Sequence, residues 1–175
     1  ASHNPMEFNG IKIFKGDGYK LPDEVENQIE AHVFNNCTDI RLAEGADIGR
    51  IKMCRTGVKD YVDFLQEHID ADLTGLKVLF DCANGASSAT AGRLFDSFPG
   101  LHTDIINADP DGVNINNGCG STHLDSLKAM VTAGSYDLGI AFDGDADRCL
   151  MVDETGEEID GDQVIAACGL DLLEK

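Results

Sequence analysis

The sequence predicts an α/β protein: a mainly parallel sheet with helices on both faces and one antiparallel strand, preceded by a truncated α/β domain. Three observations carry this reading. From residue 56 onward, short apolar runs alternate with segments of helical period, as expected where helices are the crossovers of a parallel sheet. The run 149–152 returns soon after the run 138–142, with no room for a helical crossover, so these two strands must pair antiparallel. Nineteen glycines and 6% aromatic residues indicate many tight turns, and 42% hydrophobic residues suffice for a core.

Each element follows from local pattern. Residues 2–10 are a polar loop rich in turn formers, and 10–14 read as a short strand. Val25, Ile29 and Val33 recur at i, i+4 and i+8, predicting a helix over 22–34. Residues 35–50 hold no sustained period and read as a connection, dividing the chain into domains 1–49 and 50–175. A helix over 56–69 would place Val58, Tyr61, Val62, Leu65 and Ile69 on one face. Residues 77–82 read as a buried strand, 87–98 as a helix and 103–107 as a strand. Thr122-His123-Leu124-Asp125 is a capping-box candidate opening a helix through Val131. After the strands 138–142 and 149–152, Asp160-Gly161-Asp162 caps a last helix through Leu173.

Bulk properties narrow the function. A net charge of −19 argues against nucleic acid and against anionic membrane surfaces. It does not bar a phosphorylated small ligand, because local basic groups can still hold an anion. The six cysteines, at 37, 54, 82, 119, 149 and 168, include no C-x-x-C pair, which argues against zinc. Several lie in apolar runs, and a reduced, cytoplasmic setting fits them. The chain shows no signal peptide and no apolar run long enough to span a membrane. It opens directly on Ala1-Ser2-His3-Asn4-Pro5, and the expectation is that it is a fragment.

The most informative stretch is Asp143-Gly144-Asp145-Ala146-Asp147-Arg148, a turn between two apolar strands. Its three carboxylates repel: at about 4 Å and an effective dielectric near 20, each pair costs roughly 4 kcal/mol. A hard divalent cation removes that cost, and all-oxygen ligation suits Mg²⁺ or Ca²⁺. Aspartate supplies 22 of the 32 acids, so a D-x-D-x-D triple would arise by chance in roughly three of ten such chains. The triple is therefore weak alone, and gains its weight from its place after a strand, where ligands dock in open α/β sheets. An EF-hand reading, with Glu154 as the last ligand, fails on two counts. Arg148 stands where the sharp turn needs glycine, and the flanks are strand-like. A second constellation is Ser2-His3-Asn4-Pro5 with Asn9-Gly10-Ile11-Lys12. His3 and Lys12 could carry protons for a reacting serine, and Lys12 could neutralise phosphate charge. In isolation this loop reads as a polar turn.

Together the A-S-H-N-P loop, the N-G-x-K that follows and D-G-D-x-D-R resemble the α-D-phosphohexomutase superfamily, four-domain enzymes that move phosphate between positions 6 and 1 of a sugar. Supporting segments are residues 81–86 (D-C-A-N-G-A), 110–116 (P-D-G-V-N-I-N) and 119–123 (C-G-S-T-H). The resemblance covers essentially the whole chain. It implies that Ser2 is the phosphoserine and that Asp143, Asp145 and Asp147 bind one Mg²⁺, with the serine phosphate on Ser2 as a further ligand. It places Arg148 beside the phosphate and gives His3 and Lys12 the proton transfers. A sugar 1,6-bisphosphate is the implied activator and intermediate. The segments around Asn114-Ile115-Asn116 and 119–123 favour a phosphorylated amino sugar, glucosamine 6-phosphate and glucosamine 1-phosphate, over the glucose and mannose phosphates of sister enzymes.

Two departures qualify the resemblance. Ala146 stands where the glucosamine branch usually has glycine, which makes the backbone there less free. The superfamily's third-domain sugar-recognition loop and fourth-domain phosphate-binding loop have no counterpart here, so the chain alone should bind Mg²⁺ weakly and turn nothing over. An exposed edge at 10–14 would invite pairing with another chain, and with it a homo-oligomer. Two readings from other classes are a non-catalytic cation-binding module and an aspartyl-phosphate phosphatase with Asp143 as nucleophile. Ser121 and Thr122 read as helix caps, Asn84-Gly85 as a strand-to-helix turn near the ligand edge, and His32 and His68 as surface or packing residues.

Overall fold

A computed structural model describes residues 2–8 and 10–174. The chain packs as two compact units, one formed by Ala1–Asn9 with Thr56–Lys175, the other by Gly10–Arg55. The larger unit is built on a five-stranded sheet in the order β2-β1-β3-β4-β5. Its strands are β1 (Lys77–Asp81), β2 (His102–Ile106), β3 (Leu138–Phe142), β4 (Cys149–Asp153) and β5 (Glu158–Ile159). β1 runs parallel to both β2 and β3, whereas β3–β4 and β4–β5 are antiparallel. The expected antiparallel return is therefore present, with Phe142 opposite Cys149 across the acidic turn. The short β5 was not expected.

Both faces of the sheet are covered. On one, α4 (Asp125–Gly134) lays Leu127 and Val131 against Leu79, Ala141 and Val152, all fully buried. Burying side chains of this size contributes roughly 1.5–3 kcal/mol each. A side chain at Gly139 would collide with Leu127 and Val131, so the helix approaches β3 where β3 has no side chain. On the other face Phe80 stacks on Phe95 of α3 (Ala91–Phe95), with ring centroids 3.8 Å apart. This alternation along β1, with Leu79 and Asp81 to one side and Val78 and Phe80 to the other, is why the strand is apolar almost throughout.

Two local expectations in this unit are corrected. The helix expected over 87–98 is a 3-10 turn, Ala86–Ala89, followed by the short α3. Ser87 Oγ donates to the Cys82 carbonyl and Thr90 Oγ1 to the Ser87 carbonyl, local bonds that compete with helical continuation. The capping box at Thr122 does not form: α4 begins at Asp125 with no side-chain cap, and Thr122 Oγ1 contacts His123 Nδ1 instead. The backbone before it is held elsewhere, Gly120 N–H by Asp81 Oδ2 and Ser121 N–H by the Phe142 carbonyl. The last helix, α5 (Gly161–Glu174), is capped as expected. Asp160 Oδ1 accepts from Gln163 N–H at 2.9 Å, and Asp160 N–H donates to Gln163 Oε1 at 2.8 Å. α2 (Gly57–His68) also forms, burying Val62, although Tyr61 stays 53% exposed.

In the smaller unit α1 (Asp23–Phe34) matches its helical period, but Val25, Ile29 and Val33 are exposed. The strand expected over 10–14 is absent. Only an isolated bridge joins Phe14 to Lys20, around a turn in which Lys15 N–H donates to the Tyr19 carbonyl. Among the described residues this segment has no neighbouring strand to pair with.

Candidate active site

The carboxyl ends of β1 and β3 lie side by side, and the loops leaving them build the site. β3 delivers Asp143 fully buried at its end, and the chain then turns back within six residues. Asp143 N–H donates to the Arg148 carbonyl at 3.2 Å and Ala146 N–H to the Asp143 carbonyl at 3.0 Å. The turn requires a positive φ at Ala146, +59°. That is the backbone state in which alanine carries a penalty of about 1–2 kcal/mol and glycine none. Ala146→Gly is accordingly expected to raise stability by about 0.5–1 kcal/mol, read as a higher urea midpoint; an unchanged or lower midpoint would mean that the turn is not strained there. The gain falls short of the full strain because glycine also frees the unfolded chain.

The three carboxylates Asp143, Asp145 and Asp147 converge, each offering an oxygen within 4.8 Å of the others. Arg148 interlocks with them. Its backbone N–H donates to Asp143 Oδ1 at 3.2 Å, and Nε and Nη2 reach Asp143 Oδ2 at 3.1 and 2.9 Å. Nε also lies 3.5 Å from Asp147 Oδ1. The same guanidinium turns outward: Nη2 donates to Ser2 Oγ at 2.8 Å and lies 2.6 Å from His3 Nδ1. With a guanidinium opposite, Nδ1 must accept, which leaves Nε2 as the ring position that carries a proton.

The structure thus brings together six of the seven expected site residues: Ser2, His3, Asp143, Asp145, Asp147 and Arg148. The seventh, Lys12, belongs to the other unit, where its side chain is exposed.

Sequence reasoning marked the motifs at 81–86, 110–116 and 143–148 but missed how their residues hold the serine loop in place. Ser2 O accepts from Gly144 N–H at 2.9 Å and from Asn116 Nδ2 at 2.8 Å. Any side chain on Gly144 would strike Ser2 O, and any on Gly85 would strike the Gly144 backbone, to which Ala86 N–H donates at 2.8 Å. Asp81, fully buried at the end of β1, ties the neighbouring loops together by accepting from Ala83 N–H and Gly120 N–H, both at 2.9 Å. One signal for it was available: a carboxylate closing an apolar strand has to be satisfied by something. Nearby, burial pushes the Cys119 thiol up to about 11, and burial raises the Cys82 thiol as well. Both are packing groups rather than nucleophiles at neutral pH.

The fold and site define an α/β protein in which a serine is clamped beside an acidic turn at the carboxyl ends of a sheet with a parallel core, and comparison with known proteins gives its family. Residues 59–156 match the phosphoglucomutase/phosphomannomutase alpha/beta/alpha domain II, and residues 1–39 match domain I. The chain belongs to the phosphoglucomutase/phosphomannomutase family. It is 50% identical over its whole length to the phosphoglucosamine mutase of Clostridium novyi (strain NT), covering 39% of that protein. It is 51% identical over 98% of its length to that of Acetivibrio thermocellus, covering 38% of it. The chain therefore spans about two fifths of the curated relatives it matches. A phosphoglucomutase/phosphomannomutase family protein from Burkholderia thailandensis superposes with a TM-score of 0.64 at 26% identity, over 85% of this chain and 32% of that one. A putative phosphomannomutase from Thermus thermophilus superposes with a TM-score of 0.76 over 99% of this chain and 40% of that one. At 21% identity it speaks for the fold alone. None of the helices among the described residues is long and apolar enough to cross a membrane.

Proposed function

We propose that this chain is the nucleophile- and metal-bearing portion of a phosphosugar mutase that interconverts glucosamine 6-phosphate and glucosamine 1-phosphate through a phosphoserine and a sugar bisphosphate. The observation that carries the reading is Ser2 Oγ, held 2.8 Å from the Arg148 guanidinium, which itself grips Asp143 of the acidic triple. Identity of about 50% to phosphoglucosamine mutases supports the amino sugar as substrate.

Ser2 would carry the phosphoryl group and hand it to whichever sugar hydroxyl is presented. Arg148 would pair with that group's charge, since its Nη2 already faces the serine oxygen. Asp143, Asp145 and Asp147 fit Mg²⁺: the donor set is all oxygen, triply charged, and closely spaced. The serine phosphate would be a further ligand. Bound there, the cation would supply Lewis-acid stabilisation of charge on the transferring phosphoryl group. His3 and Lys12 would move protons to and from the sugar oxygens. Asp143 is a poor candidate for an aspartyl-phosphate nucleophile, because both its oxygens already accept hydrogen bonds from Arg148. A sugar 1,6-bisphosphate would prime the serine. Six cysteines, several of them in apolar runs, would suit a reducing cytoplasm.

The test follows glucosamine 6-phosphate by ³¹P NMR, with Mg²⁺ and a catalytic amount of bisphosphate. The protein is expressed from its gene with whatever sequence flanks this chain. Glucosamine 1-phosphate is expected to appear faster than the products of glucose or mannose phosphates. Equal or faster turnover of those sugars would move the substrate to the sister enzymes, and no turnover of any would sink the mutase reading. The 175-residue chain on its own is expected to give no turnover.

A further inference from the structure

We propose that Asn116 is a positioning residue for Ser2: its side-chain amide holds the serine loop in register with the acidic turn. The proposal rests on the reading that Ser2 carries the phosphoryl group. Asn116 is 5% exposed and lies more than a hundred residues from the loop it holds. Its Nδ2 donates to two main-chain carbonyls of that loop, Ser2 O at 2.8 Å and Asn4 O at 2.9 Å. Its own backbone N–H donates to the Ala83 carbonyl at 2.9 Å, which fixes it to the loop leaving β1. Its φ of +54° is a left-handed conformation that asparagine tolerates better than most residues.

The chemistry of the side chain suits the task. Two carbonyls facing one point need two donors from a single small neutral group, and a primary amide supplies both. A carboxylate of the same shape supplies none and sets oxygen against oxygen. Gly144 completes the clamp from the other side, donating its N–H to Ser2 O; a side chain there would crowd both Ser2 O and Asn116 Nδ2. Ser2 O thus receives one donor from each neighbouring loop, and that pair sets where the Oγ four bonds away can point. Asn116 makes none of its described contacts with the serine hydroxyl, the acidic carboxylates or Arg148, so its effect on transfer runs through the position of Ser2. Misplacing a reacting group by about 1 Å costs on the order of a hundredfold in rate.

The test uses Asn116→Asp, which keeps the shape without the donors, and Asn116→Gly, which keeps the left-handed backbone without the side chain. In protein expressed from its gene with its flanking sequence, three quantities are compared with the unaltered protein. These are the single-turnover rate of phosphate uptake on Ser2 from glucosamine 1,6-bisphosphate, Mn²⁺ affinity, and amide hydrogen exchange resolved by residue. Both variants are expected to lose about a hundredfold in uptake. Mn²⁺ affinity should hold within about twofold, and faster exchange should be confined to residues 2–8 and Gly144. Uptake within about threefold of the unaltered rate in both variants would overturn the proposal. So would faster exchange through β1 and β3, which would make Asn116 a residue of the fold at large. If the unaltered protein takes no phosphate on Ser2, the mutase reading fails. The clamp is then judged on exchange alone: protection of residues 2–8 retained in both variants would overturn it.

Discussion

Ser2→Ala is expected to abolish phosphate uptake from the sugar bisphosphate and, with it, all mutase turnover. Sugar exchange should fall by at least about 10⁴-fold, as when the nucleophile of a covalent mechanism is removed. The same substitution should leave the fold almost untouched. Ser2 contributes its carbonyl to the clamp, accepting from Gly144 and Asn116, and a change at the side chain preserves both bonds. The hydroxyl itself makes one described hydrogen bond, to the partly exposed Arg148. Losing a bond of that kind costs roughly 0.5–1.5 kcal/mol. Intact mass after incubation with the bisphosphate gives the first readout, and urea unfolding the second. One added phosphoryl group on the Ser2→Ala protein would remove the serine from the mechanism. A collapse in stability would mean that the hydroxyl serves the fold before it serves any reaction.

Much of this arrangement was legible in the sequence, and the reason is local. β3 is a five-residue apolar run closed by an acidic turn, and a return after six residues can only be antiparallel, so β3, β4 and the acidic triple follow from neighbours in the chain. α5 was equally legible because Asp160 and Gln163 cap it from three residues apart. The errors came where tertiary contacts override local pattern. Residues 87–98 read as one helix, yet Ala86 N–H is held by the Gly144 carbonyl and Ser87 Oγ by the Cys82 carbonyl, and two short pieces form instead. Thr122 has the spelling of a cap, but the backbone before it answers to Asp81 and Phe142. Residues 10–14 have the composition of a strand but no neighbour to pair with. Within the site, the acidic triple, Arg148 and the serine loop were marked by motif. Asn116 and Gly144 also lie within quoted motifs, but their hold on the serine loop was not legible, because a contact spanning more than a hundred residues leaves no periodicity. Ala146 lies between: its departure from glycine could be read from the sequence, and its φ of +59° shows what the departure costs.

Asp143→Ala should separate the structural from the metal-binding part of the acidic turn. Asp143 is fully buried and accepts two hydrogen bonds from Arg148, one from its backbone N–H and one from Nε, with Nη2 adding an ion-pair contact at 2.9 Å. Breaking a buried ion pair commonly costs 3–5 kcal/mol because a charge is left buried and alone. Here the surviving partner is 54% exposed and can turn to water, so about 2–3 kcal/mol is expected. The rest of that cost is the backbone N–H of Arg148, which loses its acceptor inside the turn. Asp147 is the contrast. It is 59% exposed and only 3.5 Å from Arg148 Nε, a geometry worth at most about 1 kcal/mol. Both variants should lose divalent-cation affinity by more than the roughly 10–100-fold typical of losing an outer-shell partner, because each removes one of three converging carboxylates. Only Asp143→Ala should also lower the urea midpoint substantially. A double-mutant cycle with Arg148→Ala should return a coupling of about 1.5–3 kcal/mol for Asp143 and near zero for Asp147. Equal destabilisation by the two aspartate variants would contradict this geometry, since it would mean that Arg148 does not distinguish the buried carboxylate from the exposed one. Retained Mn²⁺ affinity in both would remove the acidic triple as the cation site.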